Sequence, residues 1–143
     1  MSRARFIRCL IPLVATTTLT LAHASGPDEA KGLWRSADGN AVIEFKPCAD
    51  EASSLCGTVV WDKDAGTSAD TCGVRIAKLK HYDDDAWRDG WVYDPRTKKR
   101  YKGAVRVNGS GLAVRAFIGT EILGETEQLT REQSLPASPT CKN

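Results

Sequence analysis

The chain has 143 residues, with 20 Lys and Arg against 18 Asp and Glu, two His and five Cys. That length supports one modest core and excludes two ordinary domains, and so small a basic excess gives no basis for a nucleic-acid partner. Apolar residues at 41% and charged residues at 27% exclude a disordered tail and a multispanning membrane protein.

Residues 1–24 read as a secretory signal. Arg3, Arg5 and Arg8 form a positive leader, residues 10–22 are largely apolar, and Ala22-His23-Ala24 offers a small-residue cleavage site before Ser25. The apolar stretch, about 13 residues, is shorter than the ~20 a membrane-spanning helix needs. Cleavage after Ala24 predicts a single periplasmic or secreted domain over residues 25–143, with a core over about residues 31–131 and a tail over 132–143. Because the leader holds three of the 20 basic residues and no acidic one, 17 basic residues remain against 18 acidic ones.

Export changes how the cysteines read. Cys48, Cys56, Cys72 and Cys141 remain, an even number for an oxidising compartment, so disulfides are expected. Cys48 and Cys56 flank a turn-like stretch between two apolar runs, which suits a bridge across the base of a hairpin loop. Cys72 and Cys141 would then pair and hold the tail that contains Pro136 and Pro139. With no CxxC pair and His81 as the remaining imidazole, a zinc site has no support; no metal and no cofactor are expected.

From there the pattern is strand and turn. After an opening strand around Gly32 and Trp34, residues 40–46 (NAVIEFK) and 57–61 (GTVVW) are short runs rich in β-branched and aromatic residues. A polar loop over 62–73 leads to a candidate strand over 74–79, and residues 82–87 mix acidic and aromatic side chains without clear period. Trp91, Val92 and Tyr93 enter a turn in which Pro95 presets φ, and residues 100–108 return. There Tyr101, Gly103, Val105 and Val107 alternate with Arg100, Lys102, Ala104 and Arg106, as expected of a sheet with one buried and one wet face. Runs over 112–119 and 125–131 complete the meander. Seven or eight short strands predict an all-β, small antiparallel up-and-down β-barrel.

Several stretches also resemble a known family. Gly32-Leu33-Trp34, Leu55-Cys56-Gly57, Val59-Val60-Trp61, Asp89-Gly90-Trp91-Val92-Tyr93-Asp94-Pro95, Tyr101-Lys102-Gly103, residues 112–119 and residues 127–131 are similar to those of the bacterial DUF2147 family of small exported proteins. The resemblance spans about residues 31–131 and implies a lipocalin-like barrel; it implies no activity. The chain departs from the pattern at Lys98 or Lys99 and at Ala116, where the family commonly carries glycine, and at Leu129, where tryptophan is frequent. Gly32, Trp34 and the late Arg131 resemble the lipocalin closure, in which a tryptophan plugs the barrel end and an arginine lies against its ring.

Candidate chemistry is sparse. Asp83, Asp84 and Asp85 do not follow a calcium-loop spacing and read as a solvated acidic loop. Lys98, Lys99, Arg100 and Lys102 form a basic hairpin tip that reads as solubilising, with anionic lipid or polysaccharide as the competing idea. His81 beside Tyr82 and Asp83 lacks a nucleophile elbow, and Glu121 with Glu125 has no fixed separation to make a glycosidase pair; no enzyme is expected. The first functional reading is an exported binding protein holding a small apolar or amphiphilic ligand in or at the mouth of the barrel, lined by Trp61, Trp91, Tyr93 and Phe117. The alternative is an envelope protein-binding module, an inhibitor or assembly factor, acting through loops such as 62–73. An interior cavity well above about 300 Å³ favours the first, and a solid core with an exposed aromatic patch favours the second. Oligomeric state is left open.

Overall fold

The computed structural model describes residues 26–142, so the expected signal segment lies outside the described residues. A 3-10 turn over Pro27–Ala30 precedes nine strands: β1 (Gly32–Arg35), β2 (Ala41–Pro47), β3 (Leu55–Asp62), β4 (Arg75–Leu79), β5 (His81–Asp83), β6 (Ala86–Asp94), β7 (Lys99–Asn108), β8 (Gly111–Phe117) and β9 (Glu125–Glu132). A second 3-10 turn, Glu121–Leu123, lies between β8 and β9. Every pairing is antiparallel. β9 returns to β1, placing Trp34 opposite Arg131, and β4 meets β6 through Ala77 opposite Val92 and Lys78 opposite Trp91. These last two rungs close the sheet.

β4 and β5 act as one interrupted strand, because both pair with β6 and the Lys80 N–H between them donates to Arg88 O at 2.9 Å. The barrel therefore has eight staves and no free sheet edge. Gly90 makes the crossing possible: a Cβ there would lie 1.8 Å from the Lys78 carbonyl oxygen and 2.7 Å from Leu79 Cα. Backbone packs directly on backbone at this point.

Residues 82–87 lack a legible period for a physical reason. Trp87 and Val92 both enter the core although five residues separate them, which strict alternation forbids; the register shift between Trp87 and Gly90 resolves the conflict. β6 thus begins five residues before the expected strand at Trp91. A second shift, between Val42 and Ile43, sends Val59 inward and leaves Trp61 paired with Val42 outside the main core. Of Lys98 and Lys99, the two positions at which the resemblance implies a glycine, Lys98 takes the left-handed φ of 56°.

The interior is filled by the protein's own side chains. Trp34, Phe45, Leu55, Leu79, Val105 and Leu112 are each below 2% exposed, and each such burial contributes about 1.5–3 kcal/mol. Gly103 and Val105 of β7 face inward as the alternation requires. Ala104, expected on the wet face, is also buried. It pairs with Arg115 and neighbours Arg106, two of the arginines that hold the Glu121–Leu123 turn.

Both disulfides expected from the sequence are present. Cys48 and Cys56 close the β2–β3 loop with Cα atoms 5.0 Å apart, and Cys72 joins Cys141 at 5.5 Å, tying the tail to the loop after β3. That loop is organised by the buried Asp62 carboxylate, which accepts from the Asp64 and Thr71 amides, each at 2.8 Å, and from the Thr71 hydroxyl. Burial pushes the Asp62 carboxyl up, but the hydrogen bonds outweigh it and hold it below its ordinary value.

Two outcomes follow from this geometry. Gly90→Ala forces β4 and β6 apart and lowers unfolding free energy by about 3 kcal/mol or more, read from urea denaturation. A depressed carboxyl contributes stability that is present above the ordinary aspartate value of 3.8 and is lost as the pH falls below it. Asp62→Asn is therefore less stable than wild type at neutral pH, and the gap narrows when melts are repeated in acid; a gap independent of pH would contradict the assignment.

Candidate functional site

One end of the barrel is plugged. The indole N–H of Trp34 donates to Ala30 O at 2.9 Å and that of Trp87 to Pro27 O at 3.0 Å, so two tryptophans hold the Pro27–Ala30 turn over the opening. Tyr82 packs edge-on against Trp87 with ring centroids 5.9 Å apart. Arg131 lies with its guanidinium carbon 3.8 Å from the Trp34 ring centroid and donates to Lys31 O at 2.6 Å and Glu29 O at 2.5 Å. Gly32, at φ 112°, leaves room for it: a Cβ there would sit 2.7 Å from Arg131 Nη1. Burial pulls the Arg131 guanidinium down from its ordinary value, with Glu29 opposing, which fits a cation spent on fixed carbonyls and a ring. Trp87 is the member of this plug that the sequence reading missed; its place follows from the bulge in β6.

The four aromatics expected to line the interior do not do so. Cross-strand partners share a face of the sheet, and Trp91 pairs with Lys102, Lys102 with Phe117, and Tyr93 with Arg100. All three aromatics therefore lie on the outer wall. The Pro95 turn carries the missed signal, since it sets Tyr93 opposite Arg100 and Trp91 opposite Lys102, both on the wet side of β7. Trp61 is buried, but beside Val42 and away from the main core, with the Arg35 guanidinium 5.3 Å from its ring centroid. Its indole nitrogen has no hydrogen-bond partner among the described residues.

Outside the barrel, Lys80, Asp89, Gly90, Trp91, Lys102, Gly103 and Phe117 line an open cleft of about 430 Å³. Trp91 and Phe117 supply aromatic walls on either side of Lys102, and the Arg100 guanidinium stacks 3.9 Å above the Trp91 ring. Asp89 contributes the acidic group and lies 3.4 Å from His81 Nε2. Both members of that pair are exposed.

Beside the cleft, the β8–β9 connection is held against the wall by three arginines. Arg115 donates to Glu121 O at 2.6 Å and Ile122 O at 2.8 Å. The Glu121 carboxylate accepts from Arg106 at 3.0 Å and from Arg88. Glu121 is thereby committed as an anchor, which removes it from any pairing with Glu125. Asp85 likewise accepts from Arg88 and Arg106, each at about 3 Å, so the three consecutive aspartates do not converge on one point.

A closed, up-and-down barrel of eight staves, plugged at one end by a tryptophan and an arginine, is lipocalin-like. Protein HP1028 from the human pathogen Helicobacter pylori, described as belonging to the lipocalin family, matches it with a TM-score of 0.52 at 13% identity, over 73% of this chain and 83% of that one. At such identity the likeness is one of fold. The chain itself belongs to the DUF2147 family, described as an uncharacterized protein conserved in bacteria, whose profile matches residues 32–131. No curated protein matches the chain in sequence.

Arg131→Met removes the ring contact and both carbonyl bonds, so it lowers stability by about 1–3 kcal/mol. Gly32→Ala imposes a costly φ and displaces the same guanidinium, at a similar cost of about 1–3 kcal/mol. Since both act through Arg131, urea melts of the double variant show less than the sum of the two losses.

Proposed function

We propose that this is an exported binding protein, periplasmic or secreted, that takes a small amphiphilic ligand on its outer wall. The observation that carries this is the inversion of the barrel: aliphatic and aromatic side chains fill its interior, while Trp91 and Phe117 flank an open cleft outside. A volume of about 430 Å³ falls within the range of small-molecule sites, about 300–1,000 Å³. Its walls suit an apolar chain, and Lys80, Lys102 and the stacked Arg100 suit an anionic head. Trp61 and Tyr93 lie outside this set. The two disulfides are consistent with export, and no helix among the described residues is long and apolar enough to cross a membrane.

The envelope-protein alternative relies on loops such as 62–73, where Asp62 and the Cys72–Cys141 bridge fix the backbone. The filled interior meets the condition set for this alternative, but the loop's polar side chains offer no apolar anchor of the kind that dominates protein interfaces, whereas the outer cleft is large enough for a small molecule.

The test uses decyl phosphate below its micelle concentration, followed by amide chemical shifts, with decyltrimethylammonium as the charge-reversed control. Saturable shifts at Trp91, Lys102 and Phe117 are expected for the anion alone, and Trp91→Ala or Phe117→Ala weakens binding about tenfold or more. Shifts centred on Val105, Leu112 and Leu129 would move the site back to the interior. Absence of saturable binding would remove the small-amphiphile proposal.

A further inference from the structure

Ile118, Ile122 and Leu123 are 80, 87 and 81% exposed. Single exposed aliphatics need no explanation, but three within six residues, following the half-buried Phe117, form a patch. The backbone that presents them is not free to collapse. Arg115 holds the Glu121 and Ile122 carbonyls and also donates to Thr126 Oγ1 at 2.7 Å, while Arg88 and Arg106 hold the Glu121 carboxylate. Three neighbouring strands, β6, β7 and β8, each supply one arginine to fix a turn whose apolar side chains point into water. Fixing a surface in its binding conformation lowers the entropy lost on association.

Charge indicates the partner. Lys80 and Lys102 line the adjoining cleft, and neither makes an ion pair with a described residue. The neighbouring acids are mostly engaged: Glu121 by Arg88 and Arg106, Asp94 by Arg96 at 3.1 Å, and Glu127 by Arg96 at 3.8 Å. Asp89 faces His81, and Glu125 stays exposed. The wall therefore combines a rigid apolar knuckle with free lysines. A second copy docked by two-fold symmetry on the same wall would bring those lysines together. An anionic bilayer complements both features, accepting the aliphatic side chains below its headgroups and the lysines among its phosphates.

We propose that the wall formed by Ile118, Ile122 and Leu123 with Lys80 and Lys102 docks on the surface of an anionic lipid bilayer. This goes beyond ligand capture in the cleft, because Ile122 and Leu123 do not line it. Docked in this way, the barrel would hold its cleft beside a membrane rich in amphiphiles.

The experiment is cosedimentation of the exported chain with phosphatidylcholine vesicles, with and without phosphatidylglycerol. Binding is expected with phosphatidylglycerol alone, and it falls as salt shortens the screening length from about 10 Å at 0.1 M to about 3 Å at 1 M. The I122S/L123S variant weakens it about tenfold or more. Both side chains are solvent-exposed, and unchanged circular dichroism and melting temperature show that the variant folds. Equal vesicle binding by wild type and I122S/L123S would overturn the proposal, as would no binding at all. A dimer in sedimentation that I122S/L123S dissolves would overturn it in favour of a second copy. Decyl phosphate titration separates this result from the cleft proposal: I122S/L123S keeps amphiphile binding, whereas Trp91→Ala loses it and still sediments with vesicles.

Discussion

Two rungs between β4 and β6, Ala77 opposite Val92 and Lys78 opposite Trp91, turn a nine-stranded meander into a barrel. Without them the sheet would be open, and its two end strands would expose unpaired backbone groups. The contact is so close that Gly90 must lack a Cβ beside the Lys78 carbonyl. Closure also defines inside and outside for every stave. Once Val92 faces the core, Trp91 and Tyr93 must face out, and their partners on β7 and β8 follow.

The size of the closed barrel then governs what its interior can do. Eight staves leave a lumen just wide enough for side chains to fill or for one small ligand. Here Trp34, Phe45, Leu55, Leu79, Val105 and Leu112 occupy it, and the Pro27–Ala30 turn is held over one end by Trp34, Trp87 and Arg131. A lipocalin-like fold is thus compatible with an interior given over to stability. The proposed ligand site lies instead on the outer wall, where Trp91, Lys102 and Phe117 form a row across three strands.

That wall is built by the arginines of β6, β7 and β8. Arg88, Arg106 and Arg115 converge on one glutamate and two carbonyls of the β8–β9 connection. They anchor the turn through its polar groups and leave its aliphatic side chains outside.

Much of the fold was legible in the sequence, because strand periodicity, turn chemistry and cysteine parity are local. The strands and turns from Trp91 to β9 and the Cys48–Cys56 bridge could be read from residues and spacing, whereas the placing of Trp34 and Arg131 on paired terminal strands came from the resemblance to the lipocalin closure. The cleft was legible only in part: three of the four nominated aromatics are on the outer wall, two of them line the cleft, and none lies in the interior. Alternation shows that neighbouring residues face opposite ways but not which way is in, and the bulges after Trp87 and at Val42 reset it without a sequence mark. By itself the sequence determined the strands, the turns and the paired cysteines, since each depends on a few adjacent residues. Only the tertiary structure decided which aromatics face water, how Trp87 joins the plug and how Glu121 is clamped, because these depend on register and closure between strands distant in the chain.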